Sequence, residues 1–193
     1  SFIARDTTSG DLGLLIQDRN LGGFDTSGVD LQVDWSQDAG RGRVGATAYL
    51  TYVDQWQYDD PGGKSIQYAG TIGGAGATID GGGLGRSIPR WKSLLDLNYT
   101  LGGARLLARW RHIDAMRDVV YREFEIPDVD YFDLGLQAQA GSGPLAGLLL
   151  RAGVDNLLDE DPPIYPTWQQ ANTDPATYDV LGRRYYVNLQ YRF

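Results

Sequence analysis

Four groups of residues in this 193-residue chain have types and spacing that chemistry can use. His112 is the single histidine. A general base needs a nucleophile within reach and an acid to orient it. No serine or cysteine motif stands beside His112, and with Trp110 two residues away it reads as an interfacial residue at a strand end. The stretch "DEDPP" at 159–163 offers the carboxylate oxygens that Ca²⁺ prefers. It lacks the D-x-D-x-D-G spacing of a calcium loop, so a solvated acidic loop is the favoured reading. "GTIGGAGATIDGGGLG" at 70–85 has glycines enough to cradle a phosphate, but no G-K-[ST] ending and no helix after it, and it reads as a flexible loop. Arg105, Arg109, Arg111, Arg151, Arg184 and Arg192 form the fourth group, fit to meet an anion. Pairing with Asp30, Asp34, Asp96 and Asp133 is the favoured use of these charges. Arg105, Arg109, Arg151, Asp96 and Trp168 remain candidate contacts for a substrate. No catalytic set emerges, and nothing here calls for a cofactor or a metal.

The elements that position these residues have period two, the strand period. In "RRYYVNLQYRF", Tyr185, Val187, Leu189, Tyr191 and Phe193 share one face, while Arg184, Asn188, Gln190 and Arg192 share the other. The same alternation occurs in "GVDLQVDWS", "RVGATAYLTY", "SLLDLNY", "ARLLARW", "YFDLGLQAQA" and "AGLLLRAGVD", and more weakly in "DLGLLIQD". That makes about eight strands, with residues 1–5 as the end of a preceding one. The expected class is all-β and antiparallel, in one unit over 1–193. Glycine (26) and tyrosine (12) suit a turn-rich sheet protein. A net charge of -8 argues against a nucleic-acid partner. No cysteine is present, which excludes disulfides and thiolate metal sites.

Connections alternate in length. "TTSG", "DAGR", "TLGG" and "GSGPL" are short turns, whereas 56–90, 115–129 and 156–182 are long. In an up-and-down sheet this places short turns at one end and long loops at the other, the layout of outer-membrane barrels. Folding about "TLGG" pairs Leu97 with Leu106 and Leu95 with Ala108. It puts Asp96 diagonally between Arg105 and Arg109. Alternation alone also suits a soluble sandwich or a lipocalin-like barrel with its apolar face inside. The Leu- and Ala-rich apolar face, the aromatic residues near strand ends and strand lengths near ten residues favour a transmembrane β-barrel. The apolar face then meets lipid, and the charged face lines the lumen.

Three stretches carry a family resemblance. "AGVDNLLDEDPPIYP" followed by "YDVLGRRYYVNLQYRF" resembles the end of a TonB-dependent outer-membrane receptor, through Gly153, Asn156, Leu157, Leu158, Asp159, Tyr178, Asp179, Gly182 and Arg183. "NLGGFDTSGVDLQVDW" resembles an upstream segment of that family through Asn20, Gly22 or Gly23, Gly28, Val29, Asp30 and Leu31. "IPRWKSLLDLNY" is similar to the family's approach to a later strand. The resemblance implies the C-terminal part of a 22-stranded barrel, without the plug domain or TonB box. It implies the outer membrane of a Gram-negative bacterium and TonB-dependent uptake of a siderophore, cobalamin, carbohydrate or peptide. The implied partners are outer-membrane lipid, the TonB complex through a plug, and an extracellular small molecule. The alternating strand that ends on Phe193 resembles the signal read by the barrel assembly machinery. An eight-stranded barrel closing alone, in an adhesive or structural role, is the other membrane reading.

Overall fold

The computed structural model describes residues 2–5, 12–15, 23–59, 63–73, 87–119, 121, 123–166 and 172–192, with backbone alone at 2–5 and 12–15. These residues contain no helix. In chain order the strands are β1 (Phe2–Arg5), β2 (Leu12–Leu15), β3 (Gly23–Ala39), β4 (Gly42–Asp59), β5 (Ser65–Gln67), β6 (Thr71–Ile72) and β7 (Ser87–Ile88). They continue as β8 (Trp91–Leu101), β9 (Ala104–Ile113), β10 (Met116–Asp118), β11 (Glu125–Ile126), β12 (Val129–Gln139), β13 (Leu148–Asp155) and β14 (Arg184–Tyr191).

Seven long strands form one antiparallel meander in the order β14-β13-β12-β9-β8-β4-β3, with β5 added on β4. Seven of the eight expected strands are therefore here. The weakest of the eight is β2, which pairs with β1 in a separate two-stranded sheet. Among the described residues the outer edges of β3 and β14 are unpaired, so closure of these strands into a barrel by themselves is not observed.

Pairing keeps one face apolar across the middle of the sheet. One ladder row reads Trp35, Ala46, Leu97, Ala108, Leu134, Val154, Tyr185. The face is solvent-accessible: Val29, Leu31, Val33, Trp35, Leu97, Leu106, Leu134, Val187 and Leu189 are all exposed. Aromatic residues bound it. Trp35, Tyr99 and Tyr191 lie toward the short turns, while Tyr52, Trp91, Trp110, Phe132 and Tyr185 lie toward the long loops. The Tyr52 and Trp91 rings touch, with centroids 4.5 Å apart.

The row is oblique to this belt. It starts at Trp35, near the short-turn end of β3, and finishes at Tyr185, at the long-loop end of β14. Tyr191, the short-turn aromatic of β14, lies six residues further on (185 to 191). Six residues correspond to about 20 Å of strand, and the six spacings between seven strands to about 29 Å, so the strands tilt about 35° from the normal to the belt.

The β8–β9 turn departs from the expected four-residue loop. Only Gly102 and Gly103 intervene, with Leu101 opposite Ala104. Gly102 has φ +56°, a left-handed conformation that a two-residue hairpin requires and glycine adopts at least cost. Leu97 therefore faces Ala108, Leu95 faces Trp110 and Asp96 faces Arg109 directly. The shift is two residues, so every side chain keeps its face.

The buried core lies among the long loops. β6, β7, β10 and β11 form a small sheet in which β10 runs parallel to β6. Ile72, Met116, Ile126, Tyr165 and Tyr178 pack there against Ile113, Val129 and Tyr131. The last three are on the charged face of β9 and β12, so the loops fold over that side of the sheet. Gly70–Ile72, expected to be flexible, are part of this body, with Ile72 fully buried; 74–85 lie outside the described residues.

The register is testable by cross-linking. Cysteines replacing Leu97 and Ala108 are expected to couple readily under mild oxidation, and cysteines replacing Leu97 and Leu106 to lag. The reverse ranking restores the four-residue loop.

Candidate functional site

The resemblance residues between Gly153 and Arg183 converge on one corner, where the chain leaves β13 and returns as β14, whereas Gly28, Val29, Asp30 and Leu31 lie on β3 at the far edge of the sheet. Asn156 adopts φ +52° and is fully buried. Its backbone N–H donates to Asp133 Oδ1 at 2.8 Å, and its amide exchanges two 2.9 Å bonds with the backbone of Glu160. Asn tolerates this left-handed conformation because its short amide bonds locally. Leu157 N–H donates to the Phe132 carbonyl at 2.6 Å, which carries the chain over the end of β12.

Asp159 follows at φ +59° and accepts from Arg183 twice, from the backbone N–H at 2.9 Å and from Nη2 at 3.1 Å. Arg183 Nη1 also donates to the Leu157 carbonyl. Gly182, at φ +67°, supplies the tight bend beside Asp159. Asp159 is thus committed to Arg183, which removes one carboxylate from any calcium reading of "DEDPP". Leu158 is exposed on the apolar side.

Asp179 is the hub of the charged face. Its side chain is 7% exposed. It accepts from Arg184 Nη1 at 2.9 Å and from Leu181 N–H at 3.0 Å, and lies 4.0 Å from Arg111 Nη2. Its own N–H donates to the Tyr131 hydroxyl. Arg111 is shared with Asp133 through bonds of 3.1 and 3.0 Å, and its guanidinium lies 4.9 Å from the Tyr131 ring centre. Arg184 also reaches Asp155 at 3.7 Å. Next along the sheet, Arg109 grips Asp96 through both carboxylate oxygens, at 2.7 and 2.8 Å. Paired, charge-assisted forks of this kind are the stronger class of ion pair.

Gly153 is required by a close approach. A Cβ there would lie 2.4 Å from the Tyr186 hydroxyl and 2.6 Å from the Leu134 carbonyl. The Tyr186 side chain from β14 therefore lies across bare backbone of β13.

The expected charge pairing is met in part. Arg105 faces Thr100 and Gln137 in the ladder, not Asp96, because of the two-residue shift. Arg151 donates to Gln137 at 3.2 Å. Asp30 and Asp34 accept from Thr51 and Thr47 instead of arginine. Tyr185, Val187, Leu189 and Tyr191 line the apolar face of β14. Trp168, Phe193, Asn20 and Gly22 lie outside the described residues.

The loop core is what the sequence reading missed. Asp118 is buried there, accepting from the Tyr165 hydroxyl at 2.5 Å and from Tyr121 N–H at 2.8 Å. Asp174 accepts from the Ser87 hydroxyl. The Tyr178 hydroxyl has no hydrogen-bond partner among the described residues. Burial first, then the charge of Asp174 and the neighbouring Tyr131, push its phenol well above its ordinary range. Chemically, the corner is a self-satisfied polar clasp, with its donors and acceptors spent on one another.

No protein-family model and no curated protein matches this chain.

Two expectations follow from the clasp. Asp179→Asn is expected to cost about 1–2 kcal/mol in denaturant unfolding, because it takes from Arg184 its nearest carboxylate and leaves it Asp155 at 3.7 Å, while Arg111 keeps Asp133. Asp38→Asn, which breaks a highly exposed pair with Arg43, is expected to cost under about 0.5 kcal/mol. Equal costs would remove Asp179 as the hub. Tyr178→Phe is expected to leave stability unchanged or raise it by up to about 1 kcal/mol at neutral pH, since the hydroxyl is buried without a partner. The unfolded phenol ionises near about pH 10, and the folded one holds its proton higher. Its stabilisation is present below that pH and lost as pH rises further, so Tyr178→Phe is expected to reduce alkaline unfolding.

Proposed function

We propose that this chain is barrel wall and outside loops of an outer-membrane β-barrel, the C-terminal part of a TonB-dependent receptor that takes up a scarce nutrient. The observation that carries the reading is the sloped apolar belt. Seven neighbouring strands expose one continuous Leu-, Val- and Ala-rich face, edged by aromatic residues at both ends. Strands in outer-membrane barrels tilt by about 35–45° and carry an apolar band about 25 Å tall between aromatic girdles. The slope of about 35° derived from the ladder falls within that range.

Four further features support it. Two-residue turns and the 140–147 turn lie at one end, and long loops with their own core at the other. On the charged face Asp96, Asp133 and Asp179 are paired with arginines, as suits a lumen wall where water is limited. A water-soluble barrel turns its apolar face inward, whereas the buried core here packs on the opposite face. The resemblance residues, moreover, join β13 to β14 through one clasp.

In this reading the loops face the cell exterior and the short turns face the periplasm. Lipid covers the apolar belt, and the assembly machinery recognises β14 with Phe193. The TonB complex acts through a plug domain on a small-molecule cargo such as a siderophore, cobalamin, carbohydrate or peptide.

The decisive experiment compares two positions of the sheet in lipid. Leu97, in the middle of the belt, is expected to tolerate arginine poorly, at about 2–4 kcal/mol if it lies at the bilayer midplane. On intact cells, a cysteine at Asn172 is expected to react with an impermeant reagent, and one at Ser142 is not. A harmless Leu97→Arg overturns the lipid-facing assignment, and equal labelling overturns the orientation.

A further inference from the structure

We propose that His112, Asp128 and Asp130 bind a divalent first-row transition-metal ion at the long-loop rim of the apolar face. The three side chains come from the end of β9, the approach to β12 and β12 itself. One potential ligand atom from each lies within 4.8 Å of the others. His112 and Asp130 are direct partners across the β9–β12 ladder, so two of the three positions are fixed by strand pairing. Asp128 is held between fully buried Ile126 and nearly buried Val129.

The spacing suits coordination. His112 Nδ1 and Asp130 Oδ1 are 3.0 Å apart. Two ligand atoms at about 2.1 Å from one ion are about 3.0 Å apart at a right angle and about 3.4 Å apart in a tetrahedron. An ion can therefore replace the proton between these two atoms with little movement of either strand. Asp128 is exposed and has the freedom to turn its carboxylate inward. The Trp110 indole N–H donates to Asp130 Oδ1 at 2.7 Å, an outer-sphere bond of the kind that orients a ligating carboxylate.

Charge points the same way. Asp96, Asp133 and Asp179 each have an arginine partner. Asp128 and Asp130 have no lysine or arginine partner among the described residues. Two adjacent carboxylates and an imidazole match a doubly charged ion. The imidazole nitrogen favours Zn²⁺, Co²⁺ or a related ion over Ca²⁺ and Mg²⁺, which prefer oxygen alone. Waters complete the shell, because the two carboxylates face solvent.

Co²⁺ is the probe, added to the folded full chain after chelator treatment, with its visible absorption read during titration. Saturable binding below about 1 mM is expected. His112→Ala, Asp130→Asn and Asp128→Asn are each expected to weaken it at least tenfold, and Trp110→Phe to weaken it less, while equimolar Ca²⁺ should leave it in place. Asp128→Asn alters an exposed loop carboxylate and keeps the test valid if a strand variant misfolds. No saturable binding, or binding indifferent to Asp128→Asn and His112→Ala, overturns the site. Displacement by equimolar Ca²⁺ overturns the choice of ion.

Discussion

Everything else in this molecule depends on the register of one sheet. A slip of a single residue at any of its six interfaces would turn the strands beyond it inside out, mixing leucines with arginines. No such slip occurs along the row from Trp35 to Tyr185. The one irregularity is the shift between Ser27 and Gly28, where Asp54 is the extra residue on β4. It falls just beyond the Val29–Tyr52 pair, where the apolar face ends. Past it, Asp25, Gln55, Gln57 and Asp59 follow on from Tyr52, while Phe24, Trp56 and Tyr58 move to the other side. The bulge thus confines the apolar belt to one height on β3 and β4.

The two faces are stabilised by different physics. The apolar face is exposed in the isolated chain, and its cross-strand pairs contribute little until something apolar covers them. The charged face is ordered by hydrogen bonds and ion pairs that link β8, β9, β12, β13 and β14 through Asp96, Arg109, Asp133, Arg111, Asp155, Asp179 and Arg184. The loop core then seats on the end of that face through Ile113, Val129 and Tyr131. The molecule therefore has one face tied together by polar contacts and one whose apolar side chains stay uncovered.

This division explains what the sequence could reveal. The apolar and charged faces were legible because period two is visible without knowing any partner strand. The turn about Gly102 was located correctly, but its length was not. A shift of two residues leaves both faces unchanged, so hydrophobic pattern carries no information about it. It does decide whether Asp96 meets one arginine or lies between two. The loop core was illegible for a different reason. Ile72, Met116, Ile126, Tyr165 and Tyr178 come from segments too short to show a period, and only tertiary pairing brings them together. The clasp fell between these cases, since its residues were visible as a pattern and their partners were not.

The clasp also explains how an edge strand stays in place. β14 pairs with one neighbour, β13, among the described residues, and Tyr185, Val187 and Leu189 are among its most exposed side chains. Such a strand frays unless its ends are held. Its beginning is held by Arg183 on Asp159 and by Arg184 on Asp179 and Asp155. Two residues on from Arg184, Tyr186 lies over Gly153. Near its end, Arg192 N–H donates to the Gly147 carbonyl. Asp179 itself is fixed by Tyr131 and Arg111, which belong to β12 and β9. The last strand is therefore positioned by contacts that reach two strands past its neighbour. A glycine, two aspartates and two arginines at fixed spacing are a structural requirement of that reach, and no chemistry at the corner is needed to account for them.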